Sequence, residues 1–296
     1  MKPMAAVLLV ITLTSQALIE TLHYLPDVGT ITNYRSTSKT TARLVSSDVL
    51  RPDGSVAPAG TSAAIIQGIL AGMNLQTLEE SRDTVREVTA DGSRIVQTQG
   101  EVKIINQSGL NLPTQRFTYT LVYSTNGQVT LQDLRFDTTN LSRNLAMIVE
   151  RHAQAMRDSL SAQFVGAFSV GFVVGQSRAF RRLERVALIS DLSPVELESS
   201  IERTFTDRGV RGNYVFDLKT QLPEFAVQQP LPISTTPVRY HFEPTTSLSK
   251  QSFMADGRLE GSSSRVTTRF RMEFTLNTNT IRMVVDLEMV RKQEMP

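Results

Sequence analysis

Over residues 280–290 the chain alternates with a period of two: Ile281, Met283, Val285, Leu287 and Met289 are apolar, and Arg282, Asp286 and Glu288 lie between them. Successive side chains of a β-strand point to opposite faces, so this segment reads as a strand with one face buried and one wet. A helix would scatter those apolar groups around its surface. Sheet is therefore the first thing this chain must build.

Other segments repeat the signal. Residues 28–45 are rich in Thr, Ser and β-branched side chains, which favour extended structure. Residues 83–105 read as strand with a turn at Asp91-Gly92. Residues 115–123 and 128–136 flank Asn126-Gly127, a strong hairpin signal. Arg51-Pro52-Asp53-Gly54 marks a turn, and Pro58-Ala59-Gly60 continues that loop. In the uncharged stretch 159–177, large Phe164, Phe168, Val170, Phe172 and Val174 alternate with mostly smaller residues, which predicts a buried strand. Strands are also expected over 213–219, 238–242, 251–259 and 266–276. Pro223, Pro230, Pro232 and Pro237 make 221–237 an extended linker or sheet edge.

Helices are expected in three places. Thr61 and Ser62 can cap a short helix, 63–75, that is apolar almost all round and so suits burial or the covering of a cavity. Over 140–164, Leu141, Leu145, Ile148, Val149, His152, Met156, Leu160 and Phe164 form one stripe at helical spacing. Ser193-Pro194 with Glu196 opens a third, short helix to about Thr204.

Two segments align without gaps. Arg116-Phe117 matches Arg269-Phe270, Thr125-Asn126 matches Thr278-Asn279, and Asp133-Leu134 matches Asp286-Leu287, each 153 residues apart. The predicted fold is α+β and predominantly antiparallel β. Two similar curved half-sheets, related by duplication, carry the long amphipathic helix and two short helices packed on them. The expected organisation is a signal peptide at 1–17, an N-terminal β-rich half at 18–139, a connecting helix at 140–164 and a C-terminal β-rich half at 165–296.

Lys2, the apolar run from Met4 to Leu13, and Ser15 and Ala17 at the positions a signal peptidase reads match a secretory signal. An uncleaved signal anchor is the alternative. The chain has no cysteine, so an exported form relies on burial and hydrogen bonding without disulfides, and no N-terminal Cys can be acylated. With Lys+Arg 31 against Asp+Glu 29, the net charge of +2 does not suggest a nucleic-acid binder.

Catalytic signals are few. His23, His152 and His241 are isolated and have no metal-ligand spacing. Ser36-Thr37-Ser38-Lys39 and Ser247-Leu248-Ser249-Lys250 satisfy S-x-x-K but lie in strand-like sequence, with no K-T-G partner. Ser177, in Gly175-Gln176-Ser177-Arg178-Ala179, follows an apolar run like a degenerate nucleophile elbow, with Asp207 or Asp217 and then His241 downstream. Arg178, Arg181, Arg182 and Arg185 form a local basic cluster suited to a solvated face or to peripheral contact with a membrane.

The sequence therefore points to an exported, non-enzymatic binding or carrier protein of the cell envelope, periplasmic or extracellular, with no cofactor and no metal. Its ligand would be a lipid or another apolar or amphiphilic molecule. Ile65, Ile66, Ile69, Leu70 and Met73 on the short helix, with Ile148, Met156 and Phe164 on the long one, are the expected ligand-binding residues. The alternatives are an envelope assembly protein that binds protein partners and, third, an envelope serine hydrolase.

Overall fold

The computed structural model describes residues 19–58, 60, 62–106, 114–139, 164–186, 195–209, 212–229 and 237–296. The expected signal peptide, the expected helix up to residue 163, and residues 230–236 of the proline-rich stretch lie outside these residues.

The first half of the chain supplies β1 (Glu20–Thr21), β2 (Ile31–Leu50), α1 (Ala63–Met73), β3 (Leu75–Val88), β4 (Arg94–Asn106), β5 (Gln115–Tyr123) and β6 (Val129–Phe136). The second supplies β7 (Gly171–Phe172), β8 (Ser177–Val186), β9 (Val195–Arg208), β10 (Tyr214–Leu222), β11 (Phe225–Gln229), β12 (Val238–Phe242), β13 (Thr245–Phe253), β14 (Leu259–Leu276) and β15 (Asn279–Glu294). Thirteen strands form one sheet, in the order β6-β5-β4-β3-β2-β15-β14-β13-β10-β9-β8, with β11 and β12 branching from β14. All its recorded pairings are antiparallel. The end strands β6 and β8 do not pair with each other, so among the described residues the sheet stays open.

The expected pair of half-sheets joined by a helix is corrected here. The two halves meet strand to strand, through β2 and β15, which pair from Thr280↔Leu50 to Glu294↔Arg35 with one bulge, at Val45 opposite Val284/Val285. The 153-residue repeat is not kept in the register either. Phe270 faces Val285, so the repeat would face Phe117 to Gln132, but Phe117 faces Phe136. The third helix is corrected to β9. Ser199, Ile201, Arg203 and Phe205 are buried at every second position there, a period that overrides the Ser-Pro helix signal. Only α1 is helical among the described residues. The expected strand through 164–174 is mostly turn, with β7 its only strand. The strand expected over 251–259 breaks at Asp256-Gly257, and β11 lies in the expected linker, continuing β10 past Pro223.

Both buried clusters lie on one face of this sheet, the inner face. At the upper end, Ala42, Val49, Tyr240, Phe242, Phe270, Met272, Phe274, Ile281, Met283, Val285 and Leu287 pack under α1. At the lower end, Tyr34, Val85, Val96, Leu121, Tyr123, Phe205, Phe216, Phe253 and Leu259 surround Leu22, Phe164, Phe168 and Phe172. The alternation in β15 places Ile281, Met283, Val285 and Leu287 inward, as the sequence predicts.

The lower end is curled. Phe168 meets the rings of both Tyr123 on β5 and Phe253 on β13, at centroid distances of 5.6 and 5.5 Å. Those strands stand six steps apart in the sheet, which in a flat sheet is roughly 29 Å. One ring touches both because the sheet wraps around the segment at 164–172, which acts as an internal plug.

Glycine turns make the close approach feasible. At Thr89–Ser93, Ser124–Gln128, Gly209–Asn213 and Met254–Arg258 the first and fifth residues share one backbone hydrogen bond, and the fourth, a glycine, donates to the first. Gly92, Gly127, Gly212 and Gly257 have positive φ, as this three-residue hairpin loop requires. A side chain at Gly127 would also collide with the Phe168 carbonyl oxygen, whereas Gly54, with φ +81, has open space around it. Gly127→Ala should therefore cost about 3 kcal/mol or more, and Gly54→Ala about 1 kcal/mol, in urea-unfolding free energies.

Candidate functional site

The residues expected to bind ligand are divided between the two ends. Ile66 and Leu70 are buried in the upper cluster, and Ile65, Ile69 and Met73 pack against it. The Asn74 side chain fixes that helix: its Oδ1 accepts from the Ala42 backbone N–H at 2.8 Å, and its Nδ2 donates to the Leu70 carbonyl at 2.9 Å. Phe164 belongs to the lower cluster. Ile148 and Met156 lie outside the described residues. The described members therefore fill core, and the structure does not bring them into one site.

The catalytic candidates are also separated. In both S-x-x-K segments the Ser and Lys fall an odd number of residues apart on a strand, so they point to opposite faces. Ser36 is buried on the inner face and Lys39 is exposed on the outer. Ser177 opens β8, and its hydroxyl shares a 2.7 Å hydrogen bond with Thr204. His241 pairs with Glu224 at 3.2 Å, and His23 Nδ1 lies 3.3 Å from the Ser169 hydroxyl. No group of three His, Asp or Glu side chains is placed to hold a metal among the described residues.

The arginine cluster has divided duties. Arg181 and Arg185 reach across the strand pair to Glu198 and Glu196, at 3.6 and 3.9 Å. Arg178 turns inward, donates to the Gly171 carbonyl at 2.6 Å and lies over the Phe172 ring. Its register partner is Arg203, fully buried, which donates to the Val165 carbonyl at 2.9 Å and to Gln251 Oε1 at 3.0 Å and stacks on Phe216. Burial lowers the Arg203 pKa to about 9, so it stays cationic at neutral pH. Two arginines thus donate to plug carbonyls, at Val165 and Gly171.

The inner face also carries a carboxyl. Asp83, on β3, accepts from the Thr98 hydroxyl at 2.6 Å. Burial raises its pKa to about 6 against that hydrogen bond, and the Glu79 charge adds to the rise. Tyr24, Tyr34, Tyr119 and Tyr123 surround it, and burial first, then charges that include Asp83, hold their hydroxyls far above the usual range.

The open recess lies on the other face. A depression of about 530 Å³ is lined by Glu202, Thr204, Asp217, Lys219, Leu248, Lys250, Ser263, Arg265 and Val290, with Leu218, Ser249 and Ser264. Register explains its composition. Lys219, Leu248, Arg265, Val290 and Lys39 are successive cross-strand partners from β10 to β2. In the adjacent row Asp217, Lys250, Ser263, Lys292 and Thr37 are successive partners. The chain holds only six lysines, and four of them, Lys39, Lys219, Lys250 and Lys292, stand in these two rows. Leu248 and Val290 between them are 56% and 44% exposed. Arg265 pairs with Glu288 and Lys292 with Glu294, each at 2.5 Å. Sequence reading missed this cluster because its lysines come from four separate strands, and only register makes them neighbours.

Asp83 has a measurable consequence for stability. Its folded pKa is raised, so its contribution is complete below about pH 4 and is lost as pH rises through about 6. The loss is about 3 kcal/mol. Asp83→Asn, which keeps an acceptor for Thr98, should be more stable than the parent at pH 7.5, and the difference should vanish at pH 4, in urea titrations.

No family model matches this chain, and no curated protein matches it. Among solved structures, Ail, the attachment invasion locus protein of Yersinia pestis in complex with the heparin analogue sucrose octasulfate, aligns at 5% identity and a TM-score of 0.12, over 90% of this chain and 99% of its own. The P. putida toluene transporter TodX aligns at 10% identity and a TM-score of 0.19, over 92% and 91%. Similarity at these TM-scores carries no argument about this chain.

Proposed function

We propose that this is an exported, non-enzymatic binding protein of the cell envelope, and that the outer-face depression takes an amphiphilic anion. The observation that carries this reading is the pairing of an apolar floor, Leu248 and Val290, with the lining cations Lys219, Lys250 and Arg265, with Lys39 and Lys292 next along the same cross-strand rows. The volume of about 530 Å³ suits a single-chain amphiphile. Paired strands of the sheet form the floor, so the backbone positions of the cations are fixed before binding. Glu202 and Asp217 share the rim and disfavour a long polyanion. The chemistry that fits is an alkyl chain lying over Leu248 and Val290 with a carboxylate, sulfate or phosphate head among Lys219, Lys250 and Arg265.

Two probes with the same tail and opposite heads test the reading. Dodecanoate should bind in isothermal titration and native mass spectrometry, and dodecyltrimethylammonium should not. Lys219→Glu with Lys250→Glu should weaken dodecanoate binding at least tenfold, as should Leu248→Asp. Equal affinity for both probes, or unchanged binding in these variants, would sink the proposal.

A further inference from the structure

The lower end of the sheet is crossed by the segment 19–30, which holds its hairpin turns together. Glu20 and Thr21 pair with Phe172 and Gly171, and Glu20 forms an ion pair with Arg208, beside the turn at Gly209–Asn213. Leu22, fully buried, accepts from Ser169 N–H at 2.8 Å, and the Ser169 hydroxyl donates to Thr125 in the β5–β6 turn. Leu25 N–H donates to Asp256 in the β13–β14 turn at 2.8 Å. Arg94 donates to Pro26 at 3.3 Å and to Gly92 in the β3–β4 turn at 2.8 Å.

The outward side of this strap and its neighbours is aliphatic. Ile19, Leu25, Val28 and Val174 are 70%, 51%, 59% and 55% exposed, and Ile31 and Val88 on the adjoining strand ends are 44% and 38% exposed. These six are a majority of the large hydrophobic side chains that the described residues leave exposed. Single exposed aliphatics need no explanation, but a concentration at one end of a molecule marks a contact surface.

The chain itself indicates what covers that surface. The apolar run Met4–Leu13 joins the body at Ile19, through residues 14–18. Fully extended, that connection reaches roughly 20 Å. Retained as the uncleaved anchor, the alternative to a cleaved signal, that run would hold a bilayer within that distance of Ile19, on the same end as the aliphatic rim. We propose that the lower end is the membrane-facing end of the protein, and that Ile19, Leu25, Val28 and Val174 rest in the interface of a lipid bilayer. The strap then serves two purposes: its inward side chains close the lower core, and its outward side chains touch lipid. The charges at this end include Glu20, Asp27, Arg94 and Arg208, with both signs present, so contact depends on apolar insertion more than on headgroup charge.

The absence of cysteine makes the test direct. Single variants Val28→Cys and Val174→Cys at the lower end, and Val56→Cys and Leu183→Cys elsewhere, are made in the full chain and labelled with an environment-sensitive fluorophore. Each is mixed with vesicles of phosphatidylethanolamine and phosphatidylglycerol that carry nitroxide-labelled lipid. Labels at 28 and 174 should shift to the blue and be quenched at least threefold more than labels at 56 and 183. Equal quenching at all four positions, or no vesicle association, overturns the proposal. A blue shift at 28 and 174 that needs no vesicles and grows with protein concentration also overturns it, because the occupant is then a second copy of the chain.

Discussion

The pairing of β2 with β15 is the constraint on which the rest of the structure depends. It brings the first long strand of the chain against the last, with Leu50 opposite Thr280 and Arg35 opposite Glu294. Closing a loop of roughly 230 residues costs about 5 kcal/mol in chain entropy beyond a constant. No disulfide meets that cost, because there is no cysteine. Side-chain pairing along the seam, on both sides of a single bulge at Val45, does. Val49 lies opposite Ile281, Leu44 opposite Val285 and Ala42 opposite Leu287, all facing the upper cluster. On the outer face Arg43 lies opposite Asp286, whose carboxyl also accepts two hydrogen bonds from Arg269, at 2.7 and 3.1 Å. Burial of several apolar side chains, each contributing about 1.5–3 kcal/mol, exceeds the closure entropy. The exposed ion pairs add specificity of register more than stability.

Once that seam is formed, the curl follows. The sheet is long and antiparallel, and its inner face carries aromatic residues at the lower end from both halves of the chain. Aromatic rings from opposite sides of the sheet cannot share a core unless the sheet bends toward itself. The plug supplies the rings that bridge them: Phe168 to Tyr123 and Phe253, and Phe172 to Phe216 at 4.9 Å. Its backbone carries polar groups into that core, and the cations of Arg178 and Arg203 receive them. Replacing the arginines with apolar residues would leave the carbonyls of Val165 and Gly171 without those donors. The uncharged sequence of 164–174 and the arginines on β8 and β9 are thus two parts of one solution.

This division explains what the sequence disclosed. Local signals were legible: the period of two in β15, the Asn126-Gly127 hairpin and the Asp91-Gly92 turn each specify structure within a few residues. Pairing between distant strands was not. The gap-free similarity between 116–134 and 269–287 suggested two units, because both are antiparallel meanders with Arg and Phe in corresponding places. Their hairpins close in different register, a property set by turn length that residue identity does not reveal. The helix expected at Ser193-Pro194 failed for a related reason. Capping residues promote a helix locally, but Ile201 and Phe205 find an existing sheet to bury against, and tertiary burial is worth more than a cap. The lysine rows were illegible for the same cause, since four strands had to be aligned before any two lysines became neighbours.

The geometry also separates the faces by task. The inner face carries clusters of the chain's own side chains at both ends, and, of the expected ligand-binding residues, Ile65, Ile66, Ile69, Leu70, Met73 and Phe164 pack in or against them. The outer face presents fixed charge around two exposed apolar side chains, and the lower end presents aliphatic side chains among charges of both signs. These are different kinds of surface. The first suits a ligand with a charged head, and the second suits a medium without directional groups. The strap at 19–30 links them physically: Leu25 N–H donates to Asp256 in the β13–β14 turn, Glu20 pairs with Arg208 beside the β9–β10 turn, and those strands carry the depression.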